Sequence, residues 1–386
     1  MKKTSILLAA LGLLQLVAGL RVVKRFLSTA GGERLRPVCT PAGSNAQALS
    51  VLVPVLNEYL RLRSCLEGLL AQGQEVAEIL VVDGGSCDGT QQLVRSYALR
   101  DARLRLVDAS PIPADWNGKA WGLHVGLQQV APAARWVLTL DADVYPAALL
   151  VRSLLAQAET KGLAALSVAT LQKLATTGQG LLHPSLLTTL VYRYGMPGKV
   201  MSKVSEVQAN GQCFLLQRDV LESCGGFEIV RDSLCEDVTL ARCLVAAGYQ
   251  VGFYEAGPLV GVRMYENWQE TWQNWTRSLP MHDRFSRQHT LVGLLEVALV
   301  QALPLPLFLT LALFRSQARW LLLLNGLGLA MRIGVLCGTA RAYRQRPWTY
   351  WLSPLCDLPV TLKLSSSALQ RRHSWRGRPI IRGGAK

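Results

Sequence analysis

Three kinds of hydrophobic pattern divide this chain. Ser5 to Leu20, Leu291 to Phe314 and Trp320 to Gly338 are long apolar runs. A bilayer span takes about 20 such residues, so the first is short and the other two are sufficient. The stretch from about residue 49 to 265 instead alternates brief apolar runs with amphipathic ones. Ser50 to Pro54, Ile79 to Val82, Leu104 to Val107 and Trp136 to Leu140 read as strands. Leu62, Cys65, Leu66, Leu69 and Leu70 recur at helical spacing, and Thr90 opens a second helix. A further helical face runs from Val238 to Val245 and stops at Gly248. Strands alternating with helices predict an α/β domain whose mostly parallel sheet is covered on both faces. Ligands of such sheets bind beyond the carboxyl ends of the strands. Pro54, Asp83 and Asp141 stand at those ends, which makes the expected crevice polar.

The long runs carry polar blemishes. Glu296, Pro304 and Pro306 interrupt one and Arg332 another, and such groups are expected to face protein or the interface rather than lipid. Trp348 to Leu364 is broken by Ser353, Pro354, Asp357, Pro359 and Lys363, and reads as an interfacial or re-entrant segment. Ala18-Gly19 would suit cleavage of a secretory signal. The charges favour an uncleaved anchor: Arg21, Lys24, Arg25, Arg34 and Arg36 come after the first run and outnumber Lys2 and Lys3 before it. By the positive-inside rule, the chain on the far side of that run lies in the cytosol. The expected organisation is a membrane anchor over 1–25, an α/β domain over 49–265 and an interfacial amphipathic segment over 266–290. C-terminal membrane segments over 291–364 and a basic tail over 365–386 complete it.

Composition agrees with an integral membrane protein. Half of the 386 residues are hydrophobic, and the mean hydropathy is +0.22. The net charge of +15 suits an anionic partner. The basic residues flank apolar runs and form no stripe interleaved with aromatics, which argues against nucleic acid. Nine cysteines lack the close spacing of a zinc site and read as reduced thiols. No GxGxxG follows the first strand, so a dinucleotide fold lacks its phosphate turn, and no GxxxxGK[ST] is present, which excludes a P-loop.

Several polar residues have the right types for chemistry. Asp141 and Asp143, two apart in extended chain, can point the same way. Together they can hold a hard cation, Mg²⁺ or Mn²⁺, or a cation and a ribose; the alternative is turn chemistry. Asp83 could accept hydrogen bonds from a nucleobase or ribose, or simply order its glycine-rich loop, while Asp88 reads as a helix cap. Lys119 sits at a helix start, where the dipole disfavours a cation unless an anion such as a diphosphate is bound. Otherwise it is a solvated surface lysine. Glu236 and Asp237 are either first-turn helix charges or, for one of them, a general base. Trp268, Trp272 and Trp275 share a helix face, as a membrane-interface belt or an acceptor platform with Arg277 aimed at phosphate.

Read in order, these pieces resemble the family 2 glycosyltransferases of GT-A fold. The matching segments are Val53-Pro54-x-x-Asn57-Glu58, Val82-Asp83-Gly-Gly-Ser86-x-Asp88-Gly89-Thr90, Trp116-x-Gly118-Lys119 and Leu140-Asp141-Ala-Asp143. Gly225-Gly226-Phe227 and Glu236-Asp237 come after them. The resemblance implies inverting transfer of a sugar from a nucleotide diphosphate sugar. It implies Pro54, Glu58 and Asp83 near the nucleoside, Lys119 near the diphosphate and Asp141 near the ribose and donor. It also implies Asp143 on a divalent cation and Asp237 as the general base. Two features depart from the family pattern: Gly84 stands where a second acid is frequent, and Asn274-Trp275-Thr276-Arg277 replaces the Gln-x-x-Arg-Trp box of processive synthases. The anchor, the Trp-x-Gly-Lys segment and the Arg-rich tail resemble a carotenoid- and hopanoid-associated branch. That branch implies a lipid-like acceptor, a hydroxylated carotenoid such as the 2'-hydroxyl of a myxol-type polyene. Hopanoids, glycerolipids, sphingolipids and polyprenyl phosphates are the alternatives, as is a scaffold that binds a nucleotide sugar without transferring it.

Overall fold

The computed structural model describes residues 2–40, 49–275, 287–314, 318–370, 372–375 and 378–381. The chain forms two compact units. One comprises Gly32–Gln172, Pro197–Met264 and Arg371–Lys386, and the other Met1–Gly31, Lys173–Met196 and Tyr265–Gln370.

The first of these is α/β. Its eight-stranded sheet runs, edge to edge, Leu104–Asp108, Val76–Asp83, Leu49–Val55, Trp136–Leu140, Cys213–Gln217, Ala165–Ala169, Val251–Glu255 and Lys199–Met201. All but Cys213–Gln217 and Lys199–Met201 point the same way. The strands are apolar on both faces because helices cover both. Val51, Val53 and Val55 join a core with Leu62, Leu66 and Leu69. Leu52, on the alternate face, joins one with Leu123, Leu127 and Leu240. The four strands predicted by pattern are present, each within two or three residues of its expected bounds.

Register aligns the strand ends that carry the polar residues. Val55 pairs with Asp83, Asp83 with Asp108 and Leu140 with Cys213. Since Cys213–Gln217 runs antiparallel, its beginning lies where Trp136–Leu140 ends. Asn210-Gly211-Gln212 is thereby delivered beside Asp141, whose N–H donates to the Gln212 carbonyl. The helix Gly118–Gln128 lies close on the sheet because Gly122 and Gly126 face it. A Cβ on Gly122 would meet the Pro54 Cβ at 3.1 Å, and one on Gly126 would meet Val82 at 2.9 Å.

The other unit is helical. Among the described residues, three of its helices are long and apolar enough to cross a membrane: Ile6–Thr29, Gln288–Leu313 and Arg319–Ala342. The N-terminal helix spans Lys2–Thr29 and so continues well past the apolar run read from sequence. The second is interrupted by a π-helical turn, Ala298–Ala302, and restarts at Pro304, whose missing N–H costs least in a first turn. The blemishes face protein, as expected. Glu296 is buried and ion-paired to Arg21 and Arg25. Arg332 is only 2% exposed. Its Nε and Nη2 donate to the two oxygens of Asp357 at 2.8 and 3.0 Å, and Ser185 and Gln301 donate to the same carboxylate.

That carboxylate anchors the interrupted segment. Trp348–Cys356 is a 3₁₀-helix and Asp357–Leu369 an α-helix of 13 residues, about 20 Å at 1.5 Å per residue and short of a hydrocarbon core. Its inner side buries Tyr350, Ser353, Asp357, Val360 and Leu364, while Trp348, Trp351, Leu355 and Leu362 are exposed. Removing one partner of a buried ion pair costs about 3–5 kcal/mol, whereas replacing both with apolar groups is close to neutral. Asp357→Ala is therefore expected to lower the melting temperature of the purified protein by several degrees. Arg332→Leu combined with Asp357→Leu should restore most of the loss, as a thermal denaturation series would show.

Candidate active site

Two loops at the strand ends are stitched into one surface. Asn57 takes a left-handed conformation, φ 56°, which asparagine tolerates. Its side-chain oxygen accepts from the Cys87 N–H, and its own N–H donates to the Ser86 hydroxyl. Asp88 caps two helices at once, accepting from the N–H groups of Tyr59 and Thr90. Glu58 is buried, with its N–H on the Thr90 hydroxyl. Asp83 is 1% exposed. Its carboxylate accepts from the Gly85 and Ser86 N–H groups, the Ser86 hydroxyl and Gln91 Nε2. Asp83 thereby orders its own loop. Pro54 is partly exposed and packs towards Gly122.

Beside these loops lies a charged cluster. Asn117 caps the helix that carries Lys119, accepting from the Lys119 N–H. It also ties that helix to the chain ahead of Glu236: its N–H donates to the Arg231 carbonyl and its Nδ2 to the Ser233 carbonyl. The Lys119 ammonium lies 2.7 Å from Asp141 Oδ1 and 2.7 Å from Glu236 Oε1. It also donates to the Gly211 carbonyl at 3.4 Å. Burial opposes the lysine's charge, but the attraction of Asp141, Glu236 and Asp237 outweighs it and holds the pKa well above the usual value. Two carboxylates therefore supply the anion that a cation at this helix start was expected to need.

Asp237 accepts from the N–H groups of Gly211 and Val238, one on each oxygen. Burial, and then the negative charge of Glu236, push it up to about 7, against the opposing effects of Lys119 and those two N–H groups. Asp143 is half-buried. It lies near enough, with Asp141, to join burial in raising the pKa of the Cys65 thiol. Among the described residues, no group of three or more His, Cys, Asp and Glu is gathered to hold a metal through protein ligands alone. The donor set still suits Mg²⁺ or Mn²⁺, which commonly bind through one or two carboxylates and complete their shell with phosphate oxygens and water. The cluster already draws one cationic group, the Lys119 ammonium.

Asp141, Lys119 and Asp237 thus converge, with Asp143, Asp83 and Glu58 on neighbouring strand-end loops. Trp275 belongs to the helical unit. It is 7% exposed and stacks on His183 with ring centroids 4.0 Å apart. One of its faces is thereby occupied by protein, and Trp268 is the exposed tryptophan of that helix. Arg277 lies outside the described residues. In sequence, Glu236 reads only as a first-turn charge or one of two candidate bases, so its contact with Lys119 was not foreseen, and Gly211 was not singled out at all. Gly211 gave no signal, because its requirement is contact. A Cβ there would lie 2.7 Å from Lys119 Nζ, 3.1 Å from Glu236 Oε1 and 3.2 Å from Asp237 Oδ2. Gly211→Ala is expected to leave the melting temperature within about 1 °C, since the flexible end of Lys119 can yield, but to weaken nucleotide binding about tenfold by calorimetry.

Residues 50–225 match the family model described as "Glycosyl transferase family 2". The 4,4'-diaponeurosporenoate glycosyltransferase of Staphylococcus aureus is 25% identical over 241 residues, covering 61% of this chain and 61% of that protein. The chain thus matches about three-fifths of the length of that curated relative. A mannosyltransferase from Pyrobaculum calidifontis, solved with GDP-Man and Mn²⁺, superposes with a TM-score of 0.51 at 17% identity. The superposition covers 94% of this chain and 98% of that one, and shows a shared fold.

Proposed function

We propose that this chain, whose residues 50–225 match the family 2 glycosyltransferase model, acts as a member of that family and transfers a sugar from a nucleotide diphosphate sugar to a carotenoid-like lipid. The observation that carries this reading is the convergence of Lys119, Asp141 and Asp237 beyond the carboxyl ends of parallel strands. A cation and a high-pKa carboxylate side by side suit a reaction that expels a diphosphate and takes up a proton.

Asp237 removes the proton of the acceptor hydroxyl as that oxygen bonds to the anomeric carbon. The bond from that carbon to the diphosphate breaks on the opposite face, with inversion. Lys119 offsets charge on the departing diphosphate. Pro54, Glu58 and Asp83 line the nucleoside side, and Asp141 the ribose and donor side. Asp141 and Asp143 would hold Mg²⁺ or Mn²⁺, which supplies further charge stabilisation when bound. The Mn²⁺ in the Pyrobaculum mannosyltransferase supports this assignment.

Three apolar helices and the carotenoid named for the Staphylococcus relative support a polyene acceptor. The 2'-hydroxyl of a myxol-type carotenoid is the specific acceptor expected. The exposed Trp348, Trp351, Leu355 and Leu362 rest at the bilayer interface, where amphipathic segments bind by buried apolar area. Basic residues flanking the apolar runs favour a catalytic domain in the cytosol.

The test is transfer in vitro. The full chain in nanodiscs is given radiolabelled UDP-glucose or GDP-mannose with Mn²⁺, and a hydroxylated carotenoid, a hopanoid, a diacylglycerol or a polyprenyl phosphate. Label should enter the carotenoid. Label entering only another lipid would refute the acceptor assignment.

A further inference from the structure

We propose that Glu236 is a positioning residue for Lys119, and that Asp141 is the partner Lys119 releases when the donor binds. This rests on the nucleotide-sugar reading of the site. An ammonium has three N–H donors. All three have acceptors: Asp141 Oδ1 at 2.7 Å, Glu236 Oε1 at 2.7 Å and the Gly211 carbonyl at 3.4 Å. A diphosphate oxygen can gain a hydrogen bond from Lys119 only if one of these gives way.

The two carboxylates differ in freedom. The Asp141 side chain is 28% exposed and that of Glu236 is 9%. Asp141 stands on a strand-end loop beside Asp143, where a ribose or a cation can draw its carboxylate away. Glu236 opens the helix Glu236–Ala246. The chain just before it is bonded to Asn117, which caps the helix that bears Lys119. Tether and lysine are therefore mounted on one hydrogen-bonded assembly, while Asp141 reaches in from a different strand end. The Ser233 hydroxyl, bonded to Thr239 and accepting from the Cys235 N–H, holds the turn ahead of Glu236. Glu236 keeps the ammonium in place and Asp141 is exchanged for diphosphate. A Glu236 serving only as a first-turn helix charge would not act through Lys119.

The experiment uses the full chain in nanodiscs with Mn²⁺. Calorimetry measures UDP and GDP, with UMP and GMP as probes that lack the second phosphate. Wild type should bind one of the diphosphates. Glu236→Gln should weaken that diphosphate about tenfold, the size expected for losing one charged hydrogen-bond partner, and leave the monophosphate unchanged. Lys119→Met should weaken it at least as much, and Glu236→Gln added to Lys119→Met should cost nothing further. Glu236→Asp, which keeps the charge but is one methylene shorter, should behave like Glu236→Gln. Unchanged affinity in Glu236→Gln, equal loss for both nucleotides, additive losses in the double variant, or full affinity in Glu236→Asp would each overturn the role of Glu236. Failure of wild type to bind either diphosphate would sink the nucleotide-sugar reading, and this proposal with it.

Discussion

Asp237→Asn should lower kcat by about 10²–10⁴-fold, the usual range for loss of a general base. Nucleotide affinity should change by less than about threefold, because the substituted amide would still fill the space beside Gly211 and Val238. The wild-type pH profile should carry the same signature. Asp237 is held up to about 7 by burial and by Glu236. A base works only when deprotonated, so kcat/KM should be low below that value and rise with pH through it. The profile of kcat, which reports the complex, should rise at a lower pH if bound cation stabilises the Asp237 carboxylate. A single-turnover assay across pH 5–9 separates the two. An acceptor that is already an anion, such as a polyprenyl phosphate, needs no base. Near-normal turnover by Asp237→Asn would therefore point to that chemistry.

Lys119→Met should have the second large effect. Loss of one group that stabilises a developing anion typically costs about 10²–10³-fold in kcat. The same substitution removes the positive charge that lowers the pKa of Asp237. Its kcat/KM limb should therefore move to higher pH than that of wild type. A decrease in rate with an unmoved limb would mean that Lys119 does not face Asp237 during turnover.

The α/β framework was legible because its strands end on the residues that matter. Ile79 to Val82 runs into Asp83, and Trp136 to Leu140 runs into Asp141, so apolar run and carboxylate are read together. Asp88 was legible as a cap, although its service to two helices depends on a contact with Tyr59 that lies far away in sequence. The strand Cys213–Gln217 escaped notice. Five residues flanked by polar ones resemble a buried helical turn as much as a strand. With it went Gly211, whose carbonyl and N–H contact both Lys119 and Asp237. The helix Thr177–Tyr194 was also missed as an element, since Pro184 and scattered polar residues blur its period, and it packs in the helical unit rather than with the strands around it in sequence. The tryptophan spacing gave a helix face but not its burial. Trp268 is exposed and Trp275 covered by His183, a contact that no local pattern encodes.

The central claim is transfer of a sugar to a polyene lipid, and lipid extracts test it most directly. Deleting the gene in its host and profiling pigments and lipids by mass spectrometry should show loss of a glycosylated carotenoid, with its aglycone accumulating. Carotenoid glycosides at normal levels, with hopanoids or glycolipids altered instead, would contradict the account.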